Sequence, residues 1–192
     1  MNPTDMNLTY TIDGDDKVVE TAGDWERFAR KNSGSDNLIH SVLGTSLWDH
    51  ITDTTTTQIY RSLFTAIRSL NKKVSFPLRC DSPKVKRYLQ LTLTPSDDGA
   101  IRINSKLVQT EPIQTSSIKG LRVEKGDHFL TICSWCNKLK SDDNNYFEIE
   151  TFISNHPEIM VVENLQITHG ICRQCECSME ELTKNVSDLN ES

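Results

Sequence analysis

A chain of 192 residues with 36% hydrophobic and 25% charged residues is an ordinary globular composition, enough for one domain or two small ones. Its net charge of −6 argues against a nucleic-acid binder held by phosphate contacts and against a surface for anionic membranes, because both need clustered lysine and arginine. No apolar run reaches bilayer length, and the polar opening MNPTDMNLTYTIDGDD lacks the basic and apolar regions of a signal peptide, so the expected location is the cytoplasm. In that reducing setting, cysteines read as thiols and metal ligands rather than as a disulfide framework.

In chain order, Thr9 to Ile12 and Lys17 to Glu20 read as two short strands around the turn composition Asp13-Gly14-Asp15-Asp16. Asp24 is a candidate N-cap for a helix that puts Trp25, Phe28 and Ala29 on one face. Lys31 to Ser41 is a polar loop, and Val42 to Ile51 a turn entering a short helix. The threonines from Thr54 to Thr57 offer caps for the clearest helix of the chain. There Ile59, Tyr60, Leu63, Phe64, Ile67 and Leu70 recur at three- and four-residue spacing. Three alternating strands follow. Val74, Phe76, Leu78 and Cys80 share a face of the first, Leu89, Leu91 and Leu93 of the second, and Ile101, Ile103, Ser105 and Leu107 of the third. Arg79 and Asp81 fall on the opposite face, either solvated or part of a polar cluster at a signalling surface, where they can pair with neighbours or with Arg87. The order predicts an α+β domain: a five-stranded antiparallel sheet with helices on one face.

The second half is organised around Cys133-Ser134-Trp135-Cys136 and Cys172-Arg173-Gln174-Cys175. A Cys-x-x-Cys pair in a tight turn can direct both sulfurs to one ion, and two such turns complete a tetrahedral four-thiolate shell. Zinc is the default occupant and iron an alternative. His169 competes as a ligand, or it can hydrogen-bond a ligand sulfur from outside the shell. Cys80 reads as a small buried hydrophobe and Cys177 as a free thiol or core residue. Tyr146, Ile149, Phe152 and Ile153 predict a helix within 142–156, with Glu148 and Glu150 as solvated carboxylates off its apolar stripe. Met179, Leu182, Val186 and Leu189 form a later stripe that fits docking on the same chain or on a second copy as a homodimer.

Several of these residues together resemble a known family. Trp25-x-x-Phe28-Ala29-x-x-Asn32, Val42-Leu43-Gly44-x-Ser46-Leu47-Trp48-Asp49, and Phe76-Pro77-x-Arg79-Cys80-Asp81-Ser82-Pro83 with Arg87 look like a PAS sensory domain. With Thr168-His169-Gly170-Ile171-Cys172-Arg173-Gln174-Cys175, the chain resembles more narrowly a bacterial PAS variant that carries a metal-binding segment, over roughly residues 8–180. The resemblance implies a PAS-like sheet that binds a small ligand or mediates protein contacts, with Trp25, Phe28 and Trp48 as core or as pocket wall. Flavin-thiol members need an Asn-Cys-Arg-Phe setting on a helix, which no cysteine here has. Haem members need an axial histidine, and His40 and His50 read as surface or loop residues. No PAS ligand is assigned.

The expected organisation is a PAS-like domain over 8–110, a linker over 111–125, a small zinc-ribbon-like segment over 126–180, and a C-terminal tail or helix over 181–192. The expected function is non-catalytic signal transduction with a protein partner, without nucleic acid or membrane. Any catalytic output would lie in a partner chain. The sequence carries neither a Walker-type phosphate loop nor a Gly-x-Ser-x-Gly elbow. Two alternatives stay open. One is a thiol-disulfide redox protein, for which Lys138 and Lys140 beside Cys136 would favour a thiolate. The other is a zinc-ribbon nucleic-acid adaptor, which the acidic excess over Lys138, Lys140 and Arg173 disfavours.

Overall fold

The computed structural model describes residues 6–31, 42–51, 53–82, 84–113, 124–157 and 162–188. His40, most of the expected linker, and Leu189 lie outside the described residues.

Strands β1 (Asn7–Ile12) and β2 (Val18–Gly23) form the first hairpin. Its turn is built by Asp13, whose carboxylate accepts from the backbone N–H of Asp15 and Lys17, while Asp16 takes a left-handed φ of 61°. Helix α1 (Trp25–Lys31) and a 3-10 turn (Leu47–His50) lead to α2 (Thr54–Leu70). The cap of α2 is Asp53 rather than one of the threonines: its carboxylate accepts from the Thr56 N–H at 2.6 Å. The other end closes at Asn71, left-handed at φ 49°, where Lys72 donates back to the Ile67 carbonyl. Ile59, Leu63, Phe64 and Ile67 turn one buried stripe of α2 to the sheet, as their spacing requires.

Strands β3 (Val74–Arg79), β4 (Val85–Pro95) and β5 (Ile101–Pro112) complete an antiparallel sheet of five strands in the order β2-β1-β5-β4-β3. The predicted α+β class, with its five-stranded antiparallel sheet and helices, is therefore what the chain forms. Arg68 fastens α2 to the sheet ends. It donates to the Gly99 carbonyl in the β4–β5 turn, to the Asp13 carbonyl, and to the Asp16 carboxylate at 2.7 Å.

One face assignment differs. The alternation holds at Val74 and Phe76, but it is Arg79 that is buried, not Cys80, which follows the strand and is only half-buried. The reason is a set of partners supplied from the second half of the chain, described below. Pro77 sits on this edge strand without cost. Arg79 N–H points away from β4, so Pro77, two residues earlier, occupies the same outward row and removes no ladder hydrogen bond.

A second sheet holds β6 (Glu124–Cys133), β7 (Leu139–Lys140), β8 (Tyr146–Phe147) and β9 (Val162–Gly170) in the order β8-β7-β6-β9. Its β6 and β9 run parallel, which requires a long crossover, here through β7, β8 and α3 (Ile149–Asn155). The helix predicted within 142–156 begins at Ile149. Tyr146 and Phe147 are drawn into a hairpin instead, because Asn144 adopts a left-handed φ of 64° and Asp143 accepts from the Asn145 N–H. Helix α4 (Arg173–Asp188) runs without a break past residue 180.

Most of the core is one cluster. It joins Ile12, Leu63, Phe64, Leu93 and Ile103 of the first half to Cys133, Trp135, Cys172, Met179 and Val186 of the second. Met179 and Val186 bury the stripe of α4 on this same chain, alongside α2. A satellite cluster of Leu130, Leu139 and Phe152 lies within the second sheet.

Candidate metal centre

The first cysteine pair closes β6. Cys133 N–H donates to the Lys138 carbonyl and Asn137 N–H to the Cys133 carbonyl, at 2.9 and 3.0 Å. Asn137 takes φ 54°, the left-handed residue that lets the chain reverse behind Cys136. The second pair is built differently from the twin turn that the spacing suggests. Cys172 directly precedes α4, and Cys175 lies in its first turn, where Glu176 N–H donates back to the Cys172 carbonyl. Both sulfurs thus stand where the free N–H groups and the positive end of the helix favour negative charge. Residues at i and i+3 share a helix face, so the same x-x spacing serves a turn or a helix start.

The Sγ atoms of Cys133, Cys136, Cys172 and Cys175 all lie within 4.8 Å of one another. The Cys136–Cys172 separation is 3.8 Å, close to the ~3.8 Å edge of a tetrahedron with zinc–sulfur bonds of about 2.3 Å. Cys133 is fully buried and Cys172 nearly so, and Cys172 N–H donates to Cys133 Sγ at 3.4 Å. The four thiols lie close enough to hydrogen-bond one another. S–H donation from Cys136 and Cys175 holds Cys133 far below the ordinary thiol pKa, while the same bond pushes Cys136 up to about 12 and Cys175 higher. A divalent ion can replace those bonds by accepting all four thiolates, so the donor set fits a metal. The ligand atoms are four, all protein, which leaves no open position for water at a tetrahedral ion.

The other candidates fall around this centre. His169 is exposed on β9, beside the sulfurs in sequence but outside their cluster. Cys177 is exposed, and Cys80 is a half-buried thiol whose pKa is raised by burial. His50 is exposed and meets the Thr45 hydroxyl at 2.7 Å. Trp48 packs on Phe64 and donates from Nε1 to Asp16. Trp25 packs edge-on against Tyr10.

Two contacts tie the centre to the first half, one at the edge of its sheet and one on α2. Arg79 N–H donates to the Trp135 carbonyl at 2.8 Å, and the Trp135 indole, itself buried, stacks on Tyr60 with centroids 5.0 Å apart. Beside them is an ionic cluster that sequence spacing misses. Arg79 pairs with Asp81 and donates to both oxygens of Glu148, at 2.9 and 2.8 Å. Lys86 joins Glu148 at 3.2 Å and Glu150 at 2.8 Å. Glu148 and Glu150 are therefore paired carboxylates rather than solvated ones. Burial would raise Glu148, but the bonds from Arg79 and Lys86 outweigh it and hold the carboxyl below its usual range. Lys86 does the same for Glu150. Strand alternation puts Arg79 and Lys86 opposite the apolar faces, so no local signal marks this cluster.

A cavity of 480 Å3 opens between β1, α1, the start of α2 and the segment that carries the cysteines. No helix among the described residues is long and apolar enough to cross a membrane. A scan against protein-family models and a search of curated proteins each found no match to this chain.

Proposed function

We propose that this chain is a non-catalytic sensory or adaptor module, a PAS-like sheet joined to a structural zinc site that relays a change in the sheet to a protein partner. One observation carries the reading: a closed four-cysteine cluster whose first turn is bonded to the edge and stacked on the helix of the five-stranded sheet. A four-thiolate zinc with no free position adds stability and rigidity rather than hydrolytic chemistry. The five-stranded antiparallel sheet with helices agrees with what the PAS resemblance implies, and the cavity beside Trp25 and Tyr60 suits a small ligand. Iron can occupy the same sulfurs, and a net charge of −6 disfavours phosphate binding. The acidic composition and the resemblance to a bacterial PAS variant are what support a bacterial cytoplasmic protein.

Elemental analysis of protein purified without added metal, beside circular dichroism before and after chelation, tests this. About one zinc per chain, with structure lost on chelation, is the expected result. A folded protein with no metal and four titratable thiols would overturn the structural-site reading in favour of thiol-disulfide chemistry.

A further inference from the structure

The cavity beside the metal segment has a mixed parentage. Its wall takes Tyr10 from β1, Trp25 from α1, Thr56 and Tyr60 from α2, and Ser134 and His169 from either side of the cysteine cluster. Ser134 follows Cys133 directly, and its N–H donates to the carbonyl of Gly170, the residue after His169, at 2.8 Å. Tyr60 stacks on Trp135, between the two cysteines of the first pair. The wall is therefore assembled in part by the turn that the metal would hold.

Two buried polar atoms of the lining have no partner of their own. Trp25 Nε1 and Thr56 Oγ1 are buried without a hydrogen-bond partner, and Thr56 as a residue is only 3% exposed. Indole N–H can only donate, and the threonine hydroxyl has its donor to spare. The Tyr10 and Tyr60 rings keep some exposed edge, but loss of water pushes the Tyr10 hydroxyl up to about 12 and Tyr60 higher, so both remain protonated donors. Asp53 is the one acidic side chain in the lining, already engaged as the α2 cap, and no lysine or arginine is among the described lining residues. Such a site rewards a flat, uncharged, mostly apolar molecule that accepts hydrogen bonds, and penalises an anion.

We propose that this cavity binds a neutral aromatic or heteroaromatic small molecule through acceptor atoms facing Trp25 and Thr56, and that its occupancy is linked to that of the metal through the shared wall at Ser134, His169 and the Tyr60–Trp135 stack. The inference rests on the sensory reading above and adds the ligand class and the coupling. Because both sites depend on one position of the first cysteine turn, each ligand stabilises the arrangement that the other needs, and the coupling is reciprocal.

The test uses the zinc-loaded full chain and the neutral naphthyl ketone Prodan, whose emission shifts to the blue in apolar surroundings. Prodan is expected to bind saturably, about fivefold more weakly after Thr56→Val, which removes one hydroxyl at constant shape. Saturating Prodan is expected to slow or weaken zinc transfer to a competing chelator by about fivefold or more. Saturable binding with unchanged zinc transfer would overturn the coupling and leave ligand sensing standing. No binding, or binding that neither Thr56→Val nor Tyr60→Phe alters, would overturn the cavity as a ligand site and the ligand-sensing part of the function with it. Tighter binding of an anionic naphthalenesulfonate than of Prodan would overturn the ligand class. Elemental analysis decides the metal site independently of all these outcomes.

Discussion

The two halves of the molecule are held by different physics. The five-stranded half buries a continuous apolar interior under α2, with Leu63, Phe64, Ile67, Leu93 and Ile101 almost or wholly removed from water. Among the described residues, the cysteine-bearing half has a small satellite cluster of its own around Leu130, Leu139 and Phe152, and otherwise shares the sulfur cluster and neighbours lent by the first half. A cluster that small is helped by a cross-link or a metal, as small domains generally are. Yet the two are not independent: Cys133, Trp135 and Cys172 sit in the same cluster as Ile12 and Phe64. A metal can thus stabilise a fold it is not central to, by fixing one wall of its core.

The comparison is most sharply tested by removing the metal. Structural zinc in finger peptides contributes about 10–16 kcal/mol of apparent binding free energy, so chelation should be the largest single perturbation. Hydrogen exchange should show amide protection lost over 124–188 first, with the β4–β5 amides still protected. Equal loss in both halves at once would erase the distinction drawn here. Phe64→Ala should come next, destabilising by about 3–5 kcal/mol in urea unfolding, because Phe64 is 1% exposed and its loss leaves a cavity. It should also weaken zinc retention, since Phe64 and Trp135 share the core.

Arg79→Ala strikes the seam. Breaking a buried ion pair costs about 3–5 kcal/mol, but Glu148 is 37% exposed and solvent recovers part of this, so about 2 kcal/mol is expected. A loss below about 0.5 kcal/mol in the same unfolding assay would mean that the seam is held by the Trp135 contacts alone. The carboxylates of that cluster also set a pH dependence. Folded Glu148 and Glu150 lie below the ordinary 4.5, so their contribution is complete above that pH and is lost as pH falls through the lowered values. Glu148→Gln should flatten this acid limb of stability, read from thermal midpoints between pH 3 and 6. The smallest effect belongs to the first half alone: Asp53→Ala removes the α2 cap and should cost about 1 kcal/mol.

Sequence reading succeeded where the controlling interactions are local. The three- and four-residue recurrence from Ile59 to Ile67, the alternation at Leu89, Leu91 and Leu93, and the two Cys-x-x-Cys pairs each carry their geometry within a few residues. It failed where a distant partner changed the local preference. The stripe through Tyr146 looked helical, but a left-handed Asn144 and the pairing of β7 with β8 made it a strand. Glu148 looked solvated because its cation, Arg79, stands 69 positions away.

By itself, then, the sequence determined the α+β class, the apolar stripe of α2, and which four sulfurs could meet, since these follow from backbone periodicity and ligand spacing. Only the tertiary structure decided that the second cysteine pair opens a helix, that β6 and β9 lie parallel, that Arg79 turns inward, and that Ser134 and His169 complete a cavity with Thr56. Those outcomes depend on surfaces that meet across the fold, and no local pattern records which surface will arrive.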